Sequence, residues 1–566
     1  MSKQHDKRGR ASLGLVLAAA GSIVLVVGGA LALYFVKGKK INTEDVASAE
    51  KIAALHFTQK ERRLMLADLR DNAAEYGKMR QAPLPNSVPP AVEFSPIVPG
   101  MTFPKDRHPA YRLPEDPRIV RPADLEDLAF WPVTSLAPLI RSRKVTSMEL
   151  TGMYLKRLKK YGPRLECIIT LTEDLALAQA RRGDEEIAAG RCRGPLHGIP
   201  WGAKDLLATK GIRTTWGSRP YIDQVPDADA TVVAKLEQAG AVLVAKLTMG
   251  ELAWGDVWFG GKTRNPWNYD QGSSGSSAGS AAATAAGLVG FAIGTETWGS
   301  IVSPSTRCGV TGLRPTYGRV SRKGAMALSW SMDKIGAICR SVEDCALVFE
   351  AIQGPDGADL TVVDLPFSWN PALDLKAIRG GYLKQEFEKE KRNKKNDETS
   401  LGILRSLRIE LRPFALPSDL PVDSLGFILN AEAAAAFDEL TWSNRDDLMK
   451  RQERNAWPNA FRQARFIPAV EYIQANRIRT LLMREMAERM RGIDVYIAPT
   501  DGGTNLLLTN LTGHPAVVVP NGFDDKGQPT SITFIGNLYD EAKVLRVADA
   551  YQKATSFQLK HPTLKE

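Results

Sequence analysis

The sequence is poor in the residues that most metal sites and histidine-based catalytic sites require. Its 566 residues include only six histidines and five cysteines, and neither type is clustered. No CxxC or mixed Cys/His spacing occurs, so the pattern predicts no zinc site and no other metal site. The scattered histidines likewise give no sign of a Ser-His-Asp triad. We expect the cysteines to be buried thiols: Cys167, Cys192, Cys308, Cys339 and Cys345.

A strong excess of one charge is also absent. The net charge of +10 arises from 74 Lys and Arg against 64 Asp and Glu, which is modest for this length. No basic stripe interleaved with aromatic residues and no nucleic-acid-binding motif is present, so we expect no nucleic-acid partner. Hydrophobic residues make up 44% of the chain, which excludes a disordered protein and predicts one large domain or two fused ones.

One long apolar run stands near the N-terminus. Residues 11–36 contain no charged side chain, and as a helix they would extend about 39 Å, more than the ~30 Å hydrocarbon core of a bilayer. We therefore predict a transmembrane helix that is retained as an anchor. A cleaved signal peptide with a site at Ala30–Ala32 and a buried core helix are the alternatives. The run favours the anchor, because it is longer than a signal-peptide apolar region and continues past that site.

Basic residues lie on both sides of the run. The positive-inside rule slightly favours a cytoplasmic N-terminus. We therefore expect a single-pass membrane protein whose catalytic domain is extracytoplasmic, or a protein exported after signal cleavage.

The remaining sequence divides into an extension and an α/β region. Residues 1–40 form the anchor or signal segment. Residues 41–124 form an extension. Within it we predict one solvated helix over 43–80 and an extended, Pro-rich segment over 83–122. From residue 125 to 566, helical stretches such as Ser147 to Lys160 alternate with short apolar runs. Such runs predict strands of a sheet that is covered on both faces: residues 241–246, 289–295, 494–499, 515–520 and 531–536.

The stretch "SGSSAGSAAATAAG", Ser274 to Gly287, consists almost wholly of small residues. It runs directly into a predicted strand, which argues against a flexible linker. No Gly-Lys-Ser/Thr follows, which argues against a phosphate-binding loop. A tightly packed structural loop and a catalytic serine loop remain. Ser300 follows a glycine in another predicted turn, and Lys204 follows a largely apolar stretch, where it would ordinarily be a surface lysine.

Lys204, the paired serines and Ser300 lie in three longer motifs: "GPLHGIPWGAKDLL" (194–207), "GSSGSSAGSA" (272–281) and "GTETWGSIVSPSTRCGVTGLRPTYG" (294–318). Together these three segments resemble the amidase signature family of serine hydrolases. The resemblance begins near Val145 and continues through residues 229–255 and 328–356 to 510–536. It implies the amidase signature fold, an α/β fold with a large mixed β-sheet and helices on both faces.

The resemblance also implies a Ser-Ser-Lys triad. Lys204 would be the base, Ser276 the bridging serine after a cis peptide bond, and Ser300 the nucleophile. Ungapped alignment backward from Ser300 selects the paired serines 276 and 277, not 273 and 274. Burial would have to lower the pKa of Lys204 so that its amine can accept a proton. By the same resemblance, Gly275 and Ser277 would support the triad. The oxyanion hole would be formed by backbone N–H groups of Thr297, Trp298, Gly299 and Ser300.

Some residues depart from the family pattern. Trp298 replaces a glycine, Val302 an arginine, Glu296 an aspartate and Ala278 a glycine. Trp298 is expected either to pack beside the turn or to contact substrate. Two further residues are singled out: His197 is expected to be a hydrogen-bonded loop residue, and Asp333 to be structural or to face the substrate.

The function implied is hydrolysis of a small carboxylic amide without a metal or cofactor. A homodimer is also expected, as is membrane contact through residues 11–36. Two alternatives remain: a glutaminase subunit of a tRNA-dependent amidotransferase, and an inactive binding protein on the same fold. The same acyl transfer would also operate on esters.

Overall fold

This computed structural model describes residues 41–103, 113, 118–500 and 503–565. The predicted transmembrane helix of residues 11–36, and with it the choice between anchor and cleaved signal, lies outside these residues. Among the residues described, no helix combines the length and the apolar character that crossing a membrane requires. The chain divides into two compact units, Met1–Pro85 and Asn86–Glu566.

The described part of the first unit contains two helices where the sequence predicted one. Helix α1 spans Thr43–Ala53 and helix α2 spans Gln59–Met79. Helix α1 ends because Ala54 adopts a left-handed conformation with φ of 53°. Helix α2 begins anew because the side chain of Thr58 caps its first turn. The prediction of one continuous helix over 43–80 is therefore wrong.

The second unit is built on a mixed sheet. Its strand order is β1-β3-β2-β8-β10-β9-β14-β15-β13-β11-β12, and β4/β5 and β6/β7 form two separate ribbons. Strand β2 is parallel to both of its neighbours, β3 and β8, whereas β8 and β10 are antiparallel. The strands, in chain order from β1 to β15, are Ile168–Leu171, Pro200–Lys204, Val242–Leu247, Val257–Trp258, Gly261–Lys262, Arg264–Asn265, Asn268–Gly272, Phe291–Glu296, Thr311–Arg314, Lys334–Cys339, Arg379–Leu383, Glu410–Phe414, Val495–Pro499, Ala516–Phe523 and Pro529–Gly536.

Both faces of the sheet are buried. Along β8, Phe291 and Ile293 belong to one apolar cluster, while Ala292 between them belongs to a second. The same alternation occurs on β10, where Ile338 packs opposite to its neighbours. Since successive side chains of a strand point to opposite faces, the two clusters are the cores on the two sides of the sheet. The predicted α/β fold with a large mixed sheet and helices is confirmed.

Helices of the second unit cover these two faces. Helix α7 consists of small residues and contributes alanines to the second cluster, together with leucines of α4. The helices, in chain order from α3 to α17, are Val133–Arg141, Ser147–Leu165, Glu173–Ala188, Thr231–Gln238, Ala278–Ala285, Val302–Cys308, Val342–Ile352, Lys384–Lys389, Lys394–Ser406, Phe427–Ala436, Asp438–Trp442, Trp457–Ala464, Ala469–Arg489, Asn505–Thr512 and Glu541–Thr555.

Close packing explains the small residues of α7. All eight of its residues are buried. A Cβ atom on Gly279 would lie 2.5 Å from the backbone nitrogen of Thr248 and 2.6 Å from the carbonyl oxygen of Cys167. The hydroxyl of Ser280 donates to the carbonyl of Ile293 at 3.0 Å, which ties the helix to β8. The composition of this stretch thus reflects contact with backbone on the sheet.

The cysteines are free thiols, and one of them corrects a prediction. Cys167, Cys308, Cys339 and Cys345 are buried as expected, but Cys192 is exposed. It lies in the exposed first part, residues 189–193, of the irregular segment between α5 and β2.

Arg340 fixes the end of α7 against the sheet. This side chain is only 6% exposed. Its guanidinium donates to the carbonyls of Trp131 at 2.9 Å, Val289 at 2.9 Å and Gly290 at 3.0 Å, and to that of Thr284 at 3.2 Å. One cation therefore satisfies carbonyl groups from the end of α7, from the turn before β8 and from the segment before α3.

We expect Arg340→Met to lower the free energy of unfolding by about 3 kcal/mol or more, because buried carbonyl groups would lose their donors. The urea-unfolding midpoint, followed by tryptophan fluorescence, measures the change. The matched control is Arg412→Met, since Arg412 forms an exposed ion pair with Glu410 and such pairs contribute little. Equal shifts for the two variants would contradict the role assigned to Arg340.

Candidate active site

Lys204 is the last residue of β2, and the fold places its amine among hydroxyl and carbonyl groups. Strands β2 and β8 are parallel neighbours, so their carboxyl ends meet at one edge of the sheet. The Nζ atom lies 2.8 Å from Oγ of Ser276, 3.1 Å from Oγ of Ser277 and 2.8 Å from Oγ1 of Thr295. The side chain is fully buried. The structure thus brings Lys204 and the paired serines together.

Burial sets the protonation of this amine. Removal from water lowers the pKa of Lys204 to about 7, although the carboxylates of Asp333 and Glu296 oppose the shift. Burial disfavours the ammonium form because the amine loses its hydration, and among the described residues no carboxylate contacts it in place of water. A large fraction of Lys204 is therefore neutral near pH 7 and can accept a proton from Ser276.

Ser276 lies in a tightly confined loop immediately before α7. The peptide bond between Gly275 and Ser276 is cis. A Cβ atom on residue 275 would lie 1.8 Å from the carbonyl oxygen of Gly255, so only glycine fits there. The carbonyl of Ser276 accepts a hydrogen bond from the N–H of Gly250 at 3.3 Å, and the residue is 1% exposed. This loop therefore holds the Ser276 hydroxyl against Lys204.

Ser277 connects the lysine to the other two segments of the site. Its hydroxyl donates to the carbonyl of Thr295 at 3.1 Å and accepts from the N–H of the same residue at 3.1 Å. Its N–H donates to the carbonyl of Ser300 at 3.1 Å. Ser277 thereby fixes the end of β8 and the Ser300 segment relative to Lys204.

Ser300 follows a turn whose backbone donors remain available. Within the part of the chain described, the N–H groups of Thr297, Trp298, Gly299 and Ser300 donate to no protein acceptor. Gly299 has φ of +85°, a conformation that glycine adopts at little cost. Ser300 is largely buried. The turn can therefore present several N–H donors to a negatively charged oxygen near Ser300.

Glu296 holds the other side of this turn. Its carboxylate accepts from the N–H groups of Ile301 at 2.8 Å and Val302 at 2.9 Å, and from Arg314 at 2.7 Å and Asn510 at 2.9 Å. Burial alone would raise the pKa of Glu296, but Arg314 and these donors lower it to about 2. The anion is thus present at neutral pH, and it occupies the N–H groups that follow Ser300.

Asp333, the residue immediately before β10, supports the turn. Its carboxylate accepts from the hydroxyl of Thr297 at 2.5 Å and from the N–H groups of Leu328 at 2.8 Å and Ser329 at 3.0 Å. Burial raises the pKa of Asp333. Its contacts are structural, and it also lines the adjoining cavity.

Three further residues from the motifs, Trp298, Val302 and His197, have no direct contact with Lys204 among the described hydrogen bonds. Trp298 is 45% exposed, and its ring lies 3.5 Å from the position of a Cβ atom on Gly426. Val302 is buried in α8. His197 is a buried loop residue whose Nδ1 accepts from the N–H of Arg193 at 3.0 Å. Among the described residues, no group of three or more His, Cys, Asp or Glu is placed to hold a metal ion.

A cavity of about 210 Å³ adjoins this site. Thr295 and Thr297 line it, so it reaches within one hydrogen bond of Lys204. Apolar groups dominate its wall, among them Leu206, Met326 and Leu328. The arrangement therefore places a mainly apolar cavity next to Thr295, whose hydroxyl lies 2.8 Å from the amine of Lys204.

Sequence reasoning did not find two parts of this site. Thr295 contacts Lys204 directly, and the pairing of β2 with β8 would have revealed it, since both strands end at the same edge. The second part is the segment beginning at Asn86, which lines the cavity. Its prolines mark it as extended, but no local pattern shows that it lines a cavity, because Asn86 pairs with a residue 241 positions away.

Comparison with known protein sequences gives matches to a single family. The amidase family model matches residues 149–508. The A subunit of glutamyl-tRNA(Gln) amidotransferase from Roseiflexus sp. strain RS-1 is 36% identical over 470 residues, covering 74% of this chain and 96% of that protein. Its counterpart from Geobacillus kaustophilus strain HTA426 is 34% identical over 479 residues, covering 76% and 99%.

Solved structures agree with the sequence comparison. The native peptide amidase of Stenotrophomonas maltophilia superimposes with a TM-score of 0.70 at 31% identity, covering 78% of this chain and 100% of that one. Family model, relatives and fold therefore lead to one conclusion. The chain belongs to the amidase family, the amidase signature enzymes, which act on the carbon–nitrogen bonds of amides.

Proposed function

We propose that the protein hydrolyses uncharged carboxylic amides through an acyl-enzyme. Ser300 is the nucleophile, Ser276 the proton relay and Lys204 the base. One observation carries the proposal: the buried amine of Lys204 lies 2.8 Å from Oγ of Ser276 and has its pKa lowered to about 7. Serine needs a base to become an effective nucleophile. A base whose pKa is near the working pH is well suited to that task.

Acylation begins when the oxygen of Ser300 bonds to the amide carbon. The Ser300 proton passes to Ser276 as Ser276 gives its own proton to Lys204, which becomes an ammonium. The carbonyl oxygen becomes an oxyanion, which the N–H groups of residues 297–300 stabilise. A single donor of this kind typically contributes a factor of about 10²–10³ in rate.

Collapse of this intermediate breaks the carbon–nitrogen bond. The leaving nitrogen takes a proton from Ser276, and Lys204 restores that proton, which returns the amine to its neutral form. An ester on Ser300 remains. Water then attacks this ester as its proton passes through Ser276 to Lys204. Collapse of the second intermediate breaks the ester bond and releases the carboxylic acid, and Lys204 returns the proton through Ser276 to the oxygen of Ser300.

The cavity wall supports an uncharged acyl group as substrate. Arg322 is engaged by Asp359 at 3.0 Å and by Thr361 at 2.9 Å. Asp333 is engaged by Thr297 and by backbone N–H groups. Burial lowers the pKa of Lys334 well below its ordinary value, which favours its neutral form. The other charged side chains of the wall are Asp359, which is paired with Arg322, and the exposed Glu93 and Lys323. Away from these two exposed side chains, the wall offers apolar contact more readily than an ionic partner.

A glutaminase subunit of an amidotransferase is the second candidate. The names of the curated relatives, at 33–36% identity, favour it. Glutamine carries an α-carboxylate and an α-ammonium, both of which need partners when bound. The engagement of Arg322 and Asp333 by other protein groups favours the amidase instead.

We expect Ser300→Ala and Lys204→Ala each to reduce kcat/KM for a reactive anilide by at least about 10³-fold, since triad members act as a unit. Hydrolysis of p-nitroanilides measures this loss. Labelling with a fluorophosphonate probe should also disappear in Ser300→Ala. The matched control is Ser280→Ala, whose hydroxyl bonds only to Ile293 in α7 packing, and it should still be labelled. Hydrolysis at the wild-type rate by Lys204→Ala would refute the proposed base.

The pH dependence should follow Lys204. Protonation below its pKa of about 7 removes the base, so kcat/KM should be constant above that pH and fall about tenfold per unit below it. An anilide that does not titrate between pH 5 and 9 is the substrate, and circular dichroism verifies folding at each pH. A flat profile from pH 5 to 8 would be incompatible with a lysine base.

Glutamine separates the two candidate functions. We expect kcat/KM for glutamine to be at least about 100-fold below that for a neutral apolar amide, because glutamine would bring two unpaired charges into the cavity. Ammonia release measured for both substrates under the same conditions tests this. Preference for glutamine would favour the role of a glutaminase in an amidotransferase.

We propose further that residues 11–36 anchor the enzyme in a membrane, with the catalytic unit extracytoplasmic. The uncharged length of this run supports the proposal. The homodimer stays a prediction.

A further inference from the structure

A proline-containing segment lies across the cavity beside the candidate active site. We call residues 86–94, with the sequence NSVPPAVEF, the strap. It belongs to the second compact unit and precedes the part of the chain that matches the family model, which begins at residue 149. Ser87, Pro89, Val92 and Glu93 are among its cavity-lining residues.

The first end of the strap is fixed by Asn86. Its amide nitrogen donates to the carbonyl of Ala327 at 2.8 Å, and its amide oxygen accepts from the N–H of the same residue at 2.7 Å. A third contact joins the amide nitrogen to the carbonyl of Ala436 at 3.4 Å. The reciprocal pair resembles the pairing of two strands, so it fixes both position and orientation. Ala327 lies in the loop that forms the facing wall of the cavity.

The other end is fixed by Phe94. Its ring lies edge-on against Tyr317, with the centroids 5.0 Å apart, and the guanidinium of Arg479 lies 3.6 Å from its centroid. Tyr317 in turn donates its hydroxyl to the carbonyl of Trp330 at 2.7 Å. Tyr317 and Trp330 both line the cavity. The strap is therefore held at both ends by the cavity wall itself.

Between these two points the strap has little freedom. Pro89 and Pro90 each have a restricted φ, and consecutive prolines favour an extended, semi-rigid chain. Both prolines and Val88 are exposed, so the middle of the strap is not packed beneath another segment. A stiff segment pinned at both ends acts as a wall, because it cannot move aside without breaking one of its attachments.

We propose that the strap sets the acyl selectivity of the enzyme by restricting the cavity to compact, uncharged acyl groups. This inference rests on the proposed amide hydrolysis. The cavity of about 210 Å³ is smaller than the range of about 300–1,000 Å³ usual for ligand pockets. Met326 and Leu328 form the facing apolar surface. Releasing the strap would widen the space beside Thr297 and remove contacts to a short acyl group.

The test compares the binding of two anilides, acetyl-p-nitroanilide and octanoyl-p-nitroanilide, in the Ser300→Ala background so that neither is turned over. Isothermal titration gives both dissociation constants with and without Asn86→Ala. We expect the octanoyl-to-acetyl affinity ratio to rise by about tenfold or more when the strap is released, in line with the selectivity of apolar pockets. The matched control is Asn396→Ala, which removes an amide that bonds to Phe523 and Thr530 instead of the cavity wall.

A second variant guards against a folding defect. Replacing both Pro89 and Pro90 by glycine makes the strap flexible and leaves the contacts of Asn86 and Phe94 in place, and it should shift the ratio in the same direction. Fluorophosphonate labelling of the same strap variants with Ser300 intact verifies the folded site.

The outcomes separate the two proposals. An affinity ratio that stays within twofold of the Asn396→Ala control, or binding of neither anilide by any variant, would overturn the strap inference. A shifted ratio in a protein whose wild type hydrolyses no amide would support the strap and refute the proposed hydrolysis.

Discussion

The site depends on one buried amine held among neutral oxygens. Lys204 stands at the end of a strand, and no carboxylate in the described part of the chain contacts its amine. Burial therefore lowers its pKa to about 7. Parallel pairing of β2 with β8 delivers Thr295 to the amine, and close packing of α7 delivers the paired serines. These segments together exclude water from the amine. The low pKa of Lys204 therefore depends on the assembled edge of the sheet and is not a property of the lysine alone.

The same edge separates two electrostatic tasks. Glu296 is a permanent anion. Arg314 neutralises its charge, Asn510 donates a hydrogen bond to it, and the N–H groups after Ser300 also donate to its carboxylate. Among the described residues, the N–H groups of residues 297–300 donate to no protein acceptor. A fixed carboxylate thus shapes the turn and leaves available the donors that the proposed oxyanion site requires. Asp333 adds a mechanical link through Thr297. The carboxylates of Glu296 and Asp333 thus lie near Lys204 without contacting its amine.

Sequence reasoning reached the parts of this structure that local patterns encode. The apolar run at 241–246 became β3 within one residue, since strands buried on both faces read as continuous apolar runs. The motifs located Lys204, Ser276 and Ser300, whose segments the structure brings together. Contacts between distant segments were out of reach: Asn86 pairs with a residue 241 positions away. The break after Ala54 and the exposure of Cys192 were missed because they depend on backbone conformation and on which side of a loop faces water.

The alanines of α7 have a consequence for how the site becomes rigid. An alanine side chain has no rotamers to lose, whereas burying longer side chains costs up to about 2 kcal/mol each in conformational entropy. A helix of small residues directly behind Ser276 and Ser277 can therefore be immobilised with almost no side-chain entropy loss. It also has no alternative side-chain arrangements into which the paired serines could relax. The ordering of Ser276 and Ser277 is thus supported by a helix whose side chains have few conformations to lose when the chain folds.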